Sequence, residues 1–172
     1  MQKTCFLLGF MGSGKTYWGQ RLAEAAGLPF RDLDAMIECG EKNPAGQIFA
    51  ERGEAAFRQL ERTYLHLLAQ GKPSIVATGG GTPCFFDNLA WMNAQGITVY
   101  LYTPVPVLVE RLRRDNDRPL LKNIPPSGLE DYIRDLVSVR EVFYQKAQFT
   151  VPFHLDSAVY LDRLLRVFSG AN

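Results

Sequence analysis

The chain has 172 residues, 47% hydrophobic and 22% charged, which fits one domain (1–172) whose core needs no disulfide or metal staple. Nineteen Lys and Arg against eighteen Asp and Glu leave a net charge of +1, without the basic excess of a dedicated nucleic-acid binder. Disordered, collagen-like and coiled-coil classes are excluded on composition.

Thr4–Leu8 is an apolar run that reads as a buried strand, and Lys15–Ala26 as a helix stopped by Gly27. Further strands are expected at Leu28–Asp32, Ser74–Thr78 and Ile97–Tyr102, with a fifth at Gln148–Phe153 that Pro152 places at a sheet edge. Helices are expected at Glu54–Ala69, Asp87–Gln95, Pro104–Arg114, Gly128–Lys146 and Asp156–Phe168. Strand–helix alternation of this kind predicts an α/β fold with a parallel sheet covered on both faces. Gly40–Gly46 and Asp115–Ser127 read as loops. The three cysteines (Cys5, Cys39, Cys84) show no CxxC spacing, and the two histidines (His66, His154) stand far apart, so no metal cluster is expected. No stretch approaches the ~20 apolar residues of a membrane span, and the first apolar run is too short for a signal peptide. The expected setting is a reducing cytoplasm, without membrane or nucleic-acid partners.

Directly after the first strand stands Gly9-Phe10-Met11-Gly12-Ser13-Gly14-Lys15-Thr16, a full GxxxxGK[ST]. Glycines let successive N–H groups turn inward onto phosphate oxygens, and the following helix presents its positive end to the same anion. Lys15 is placed for the outer phosphates and the Thr16 hydroxyl for Mg²⁺. A plain glycine turn does not explain Lys15-Thr16. A GTPase, an ATPase motor and a small-molecule kinase share such a loop. The absence of NKxD and the short chain favour the kinase.

The second strand ends in Asp32-Leu33-Asp34, two carboxylates at period two on one side of an extended segment, where parallel strands meet ligands. Asp32 then faces Thr16 and the metal through water, and Asp34 an acceptor hydroxyl; a helix N-cap is the competing reading of the pair. In Gly53-Glu54-Ala55-Ala56-Phe57-Arg58-Gln59-Leu60-Glu61, Arg58 can anchor a carboxylate with Glu61 fixing its rotamer, although spacing alone favours a surface ion pair. Gly79-Gly80-Gly81 after the third strand suggests close approach of backbone to a ligand. Arg118, in Asp117-Arg118-Pro119-Leu120-Leu121, suits a loop closing over phosphates. Arg140 and Tyr144 share a helical face, an ordinary detail on its own.

In order, GFMGSGKT, DLD, GEAAFRQLE, TGGGTP, RPLL and RxxxY resemble the shikimate kinases over residues 3–147. The resemblance implies a three-layer P-loop fold like that of nucleoside monophosphate kinases, with a five-stranded parallel sheet, a substrate region near 33–61 and a mobile lid near 112–126. It also implies transfer of the ATP γ-phosphate to the 3-hydroxyl of shikimate on the route to chorismate and the aromatic amino acids, by a protein expected to be a monomer. Gly12, Ser13, Gly14, Lys15, Thr16 and Tyr17 would hold the phosphates. Thr16 would ligate Mg²⁺ with Asp32 behind it, and Asp34 would bind substrate hydroxyls and act as base. Lys15 and Arg118 would complete the catalytic set. Arg58 and Arg140 would clamp the carboxylate, with Gly79, Gly80 and Gly81 against the ring. Arg111 would pack on adenine. The segment Leu155–Val159 leaves little room for the family's polar adenine loop. A gluconate or nucleotide kinase, and a nucleotide binder without catalysis, are the alternatives.

Overall fold

The structure, a computed structural model, describes residues 3–68, 71–114, 121 and 124–170. The strands β1 (Thr4–Leu8), β2 (Phe30–Asp32), β3 (Ile75–Ala77), β4 (Gly96–Tyr102) and β5 (Phe149–Pro152) form one parallel sheet in the order β2-β3-β1-β4-β5. Its helices are α1 (Lys15–Ala26), α2 (Leu33–Glu41), α3 (Ala45–Leu68), α4 (Asn88–Gln95), α5 (Val105–Leu112), α6 (Leu129–Tyr144) and α7 (Ser157–Ser169). Among the described residues, no helix is long and apolar enough to cross a membrane.

The pleat of β1 explains the three layers. Cys5 and Leu7 face one way, into a core completed by Trp18, Leu22, Tyr160 and Leu164 of α1 and α7. Phe6 and Leu8 face the other way, against Ile37, Leu65, Met92, Leu108 and Ile133 of α2 to α6. Burial on both faces is why β1 reads as a continuous apolar run rather than an alternating one. Burial also pushes the Cys5 thiol up to about 12, so it acts as a small apolar residue. Pro152 stands in β5 at the open edge, where its missing N–H costs no ladder bond.

Each of the five expected strands is present, with boundaries set by neighbouring caps. β2 starts at Phe30 rather than Leu28 because Leu28 belongs to the closure of α1. Its N–H donates to the Ala23 carbonyl at 2.9 Å, and left-handed Gly27 donates to that of Glu24 at 3.2 Å. The expected loop Gly40–Gly46 is instead the end of α2, a turn through left-handed Lys42, and the start of α3. Two things hold this hairpin of helices: burial of Leu33 and Ile37, and Glu38, whose Oε1 accepts from the Ala45 N–H at 2.8 Å. α3 breaks at Gly53, whose φ of 79° and ψ of 170° no β-branched or bulky residue adopts readily, so the expected helix at Glu54 is its second half. Of the expected loop Asp115–Ser127, residues 115–120, 122 and 123 lie outside the described residues; Pro126–Gly128 is a 3₁₀ turn leading into α6.

Leu7 is fully buried on the central strand. Leu7→Ala is expected to lower stability by about 2–5 kcal/mol, through lost burial plus a cavity that the sheet cannot collapse, as read by urea denaturation.

Candidate functional site

The phosphate loop joins the C-terminal end of β1 to the N-terminus of α1, next to the point where the chain order of the sheet reverses. Gly9, Gly12 and Gly14 have φ of 146°, 81° and 90°, and these turns bring the loop around the first turn of α1. Lys15 Nζ donates to the carbonyls of Gly9 and Phe10 at 2.8 and 2.9 Å, so the ammonium lies folded along the loop. Ser13 is buried, and its Oγ has no hydrogen-bond partner among the described residues.

Asp32 fulfils both readings of its position. Its Oδ1 caps α2 by accepting from the N–H groups of Asp34 and Ala35 at 3.1 and 3.3 Å. Its Oδ2 accepts from the Thr16 hydroxyl at 2.7 Å. The cap corrects the extended geometry expected for this segment: Asp34 is a residue of the first turn of α2, and the helix rather than a strand carries it into the cleft. A hydroxyl and a carboxylate side by side next to the phosphate loop are hard oxygen donors, the set that suits Mg²⁺ bound along with phosphates. Among the described residues no three His, Cys, Asp or Glu side chains are grouped to hold a metal by themselves.

The cleft, of about 620 Å³, brings together Gly12, Gly14, Lys15, Thr16, Tyr17, Asp32, Asp34, Gly80 and Arg111. Arg111 donates from Nη1 to the Gly12 carbonyl at 2.8 Å, and its guanidinium lies 5.1 Å from the Phe153 ring centroid. Phe153, His154, Leu155 and Ser157, which follow β5, complete that end. Sequence reading did not single out Phe153 and His154, and it expected Leu155–Val159 to leave little room for an adenine loop, yet Leu155 and Ser157 line the cleft. Their position past a parallel strand was the available signal.

The remaining predicted residues stand behind the cleft around the glycine run. Arg58 and Glu61 are 5% and 1% exposed and 2.7 Å apart, so the surface ion pair favoured by spacing is in fact buried. Glu61 Oε1 also accepts from the Thr82 hydroxyl at 2.5 Å, and Glu54 Oε1 accepts from Arg58 Nε and Nη2 at 3.2 and 2.9 Å. Burial by itself would lower the Arg58 pKa, but Glu61 and Glu54 outweigh it and hold the guanidinium above its ordinary value. A methyl group on Gly81 would lie 2.6–2.7 Å from the Arg58 guanidinium, and one on Gly80 would lie 3.4 Å from Arg140 Nη1 and 3.3 Å from Met11 N. One on Gly79 would meet Asp34 Oδ1 at 3.0 Å. The run is therefore glycine because both arginines, Asp34 and the phosphate loop crowd onto it. Arg140 is 6% exposed and lies 5.6 Å from the Phe10 ring centroid. Glu54 and Thr82 were not recognised in the sequence, since neither their spacing nor their type distinguishes them from solvated helix and turn residues. Arg118 lies outside the described residues.

The phosphate loop, the two aspartates and Gly80 thus line one cleft, with Arg58 and Arg140 packed behind it against the glycine run. The family model for shikimate kinase matches residues 11–161. The chain belongs to the shikimate kinase family. It is similar to shikimate kinase from Parabacteroides distasonis, with 48% identity over 149 residues and 86% of each chain covered. The crystal structure of shikimate kinase from Bacteroides thetaiotaomicron superposes with a TM-score of 0.91 at 38% identity, covering 97% of this chain and 98% of that one. Shikimate kinase from Acinetobacter baumannii, in a structure containing shikimate, superposes with a TM-score of 0.92 at 34% identity, covering 99% and 94%. Of the six motifs that suggest this family from sequence, five lie at the strand ends and helices around the cleft; the sixth, RPLL, falls almost wholly outside the described residues.

Removing Glu61 would leave Arg58 buried with one half-exposed counter-ion. Glu61→Ala is expected to cost about 3 kcal/mol in chemical denaturation, whereas Glu54→Ala, at the exposed end of the network, should cost under about 1 kcal/mol.

Proposed function

We propose that the protein transfers the γ-phosphate of ATP to the 3-hydroxyl of shikimate, giving shikimate 3-phosphate and ADP. The observation that carries this reading is the pair of nearly buried guanidinium groups, Arg58 against Gly81 and Arg140 against Gly80, on a glycine run that also meets Asp34 and the phosphate loop. Two cations with rigid donor forks select a carboxylate, which neutral polyols lack. Asp34 then stands between the acceptor's hydroxyls and the phosphate loop.

In the proposed step the 3-hydroxyl oxygen attacks the γ-phosphorus while Asp34 takes the hydroxyl proton. The bond from the γ-phosphorus to the β–γ bridging oxygen breaks, and ADP leaves with that oxygen. Gly12, Ser13, Gly14 and Tyr17 would present the loop to the phosphates; Lys15 would swing from the Gly9 and Phe10 carbonyls onto the outer phosphates. Mg²⁺, carried with ATP, would be held by Thr16 and, through water, by Asp32, and would neutralise phosphate charge. Arg111 beside Phe153 is the proposed platform for adenine, and Arg118 the proposed cation of a lid over 112–126 that excludes water. The same reading takes the protein as a cytoplasmic monomer.

A coupled assay of ADP release tests the substrate, with shikimate, gluconate and nucleoside monophosphates as acceptors. Shikimate alone is expected to support turnover; none with shikimate, together with no shikimate binding, overturns the reading. Asp34→Asn is expected to lower kcat by about 10²–10⁴-fold and leave the KM for ATP nearly unchanged. Arg58→Ala and Arg140→Ala should each raise the shikimate KM about ten-fold or more. An equal rise in the KM for ATP would show that the clamp is misplaced.

A further inference from the structure

Each arginine-bearing helix also supplies an anchor for the glycine run. On α3, Glu61 lies three residues beyond Arg58 and binds the Thr82 hydroxyl at the end of the run. On α6, Tyr144 lies one turn beyond Arg140, and its hydroxyl donates to the Gly80 carbonyl at 2.5 Å across 64 positions of sequence. At the start of the run, Thr78 is tied to the Leu7 carbonyl of β1 by its N–H at 3.2 Å and its hydroxyl at 3.0 Å. Tyr144 is fully buried, and its ring packs against that of Tyr100, with centroids 5.1 Å apart.

We infer that Tyr144 is a positioning residue for the acceptor substrate, locking the Gly80–Gly81 peptide in one orientation between the arginine clamp and the phosphate loop. The reason is the flexibility of the run itself. A peptide flanked by glycines on both sides can rotate with little steric cost, so packing alone selects its orientation weakly. Because the peptide is planar and trans, a carbonyl held toward Tyr144 turns the Gly81 N–H the opposite way. Gly80 is also where the arginine Nη1 of Arg140 and the backbone of Met11 and Gly9 come closest, at 3.3–3.6 Å from a Cβ built there. One hydroxyl therefore fixes both the carboxylate-binding end and its distance from the phosphates. It does so from the helix that carries Arg140.

The inference rests on the kinase reading above, and Tyr144→Phe tests it. This variant keeps the ring and its packing on Tyr100, and the loss of one hydrogen bond is small against the stability of such a domain. A raised shikimate KM, by about five-fold or more, is expected, with kcat and the KM for ATP within about two-fold of the unmodified enzyme. Tyr100→Phe, which removes a hydroxyl from the neighbouring buried ring, supplies the baseline for general loosening and should leave the shikimate KM unchanged. Combining Tyr144→Phe with Arg140→Lys is expected to be non-additive in shikimate KM, because both act through the same contact. An unchanged shikimate KM in Tyr144→Phe, or an equal rise in both KM values, overturns the inference even though the unmodified enzyme turns over shikimate. An unmodified enzyme that does not turn over shikimate overturns the functional reading instead. Shikimate binding by calorimetry, compared with ADP binding, provides the same split without turnover.

Discussion

In a parallel sheet every strand ends on the same side, and this one constraint gathers the site. β1 delivers the phosphate loop, β2 ends on Asp32 and leads into the first turn of α2 with Asp34, β3 delivers the glycine run, and β5 the segment from Phe153 to Ser157. No strand contributes from its N-terminal end. The helices are held in two layers by the alternating side chains of β1, and those directly after β1, β2 and β5 (α1, α2 and α7) bring their first turns into the cleft. The fold thus sets the positive helix end and the loop N–H groups at one edge, where the side chains of Asp32 and Asp34 supply the carboxylates.

Charge is distributed along the same lines. A net +1 over the chain describes its surface poorly, because two cations, Arg58 and Arg140, are nearly buried. Arg58 is balanced by Glu61 and Glu54, and Arg140 lies over the Phe10 ring. A guanidinium withdrawn from water interacts strongly with any anion that reaches it, and its own carboxylate partners hold it charged and oriented. Cys84 is pushed up to about 11, chiefly by burial against the opposing pull of Arg140 and Arg58, and remains a neutral thiol. The pocket's electrostatics are therefore concentrated where the glycine run lets backbone and arginines meet.

Much of this was legible in the linear chain. Short apolar runs marked β1, β3 and β4 and, more weakly, β2 and β5; Gly27 marked the end of α1 and Pro152 an edge strand, each through a requirement that acts within a few residues. The phosphate loop was legible for the same reason, since its glycine spacing and Lys15-Thr16 are local demands of phosphate geometry. α2 was missed because Gly40, Gly46 and Pro44 look like a loop, while the burial of Leu33 and Ile37 and the cap from Asp32 are what stabilise a helix there. Asp34 was assigned to the right cleft by an incorrect route, period-two geometry in place of a helix turn.

By itself the sequence determined the strand order's raw material, the phosphate site and the set of residue types available for a carboxylate. Tertiary structure alone decided that Arg58 and Glu61 are buried, that Thr82 and Glu54 complete their network, and that Tyr144 reaches Gly80. The physical reason is that an i,i+3 or i,i+4 pair has the same spacing on a wet helix face as on a dry one. Whether water is excluded, and which distant backbone comes within reach, depends on packing between elements far apart in the chain.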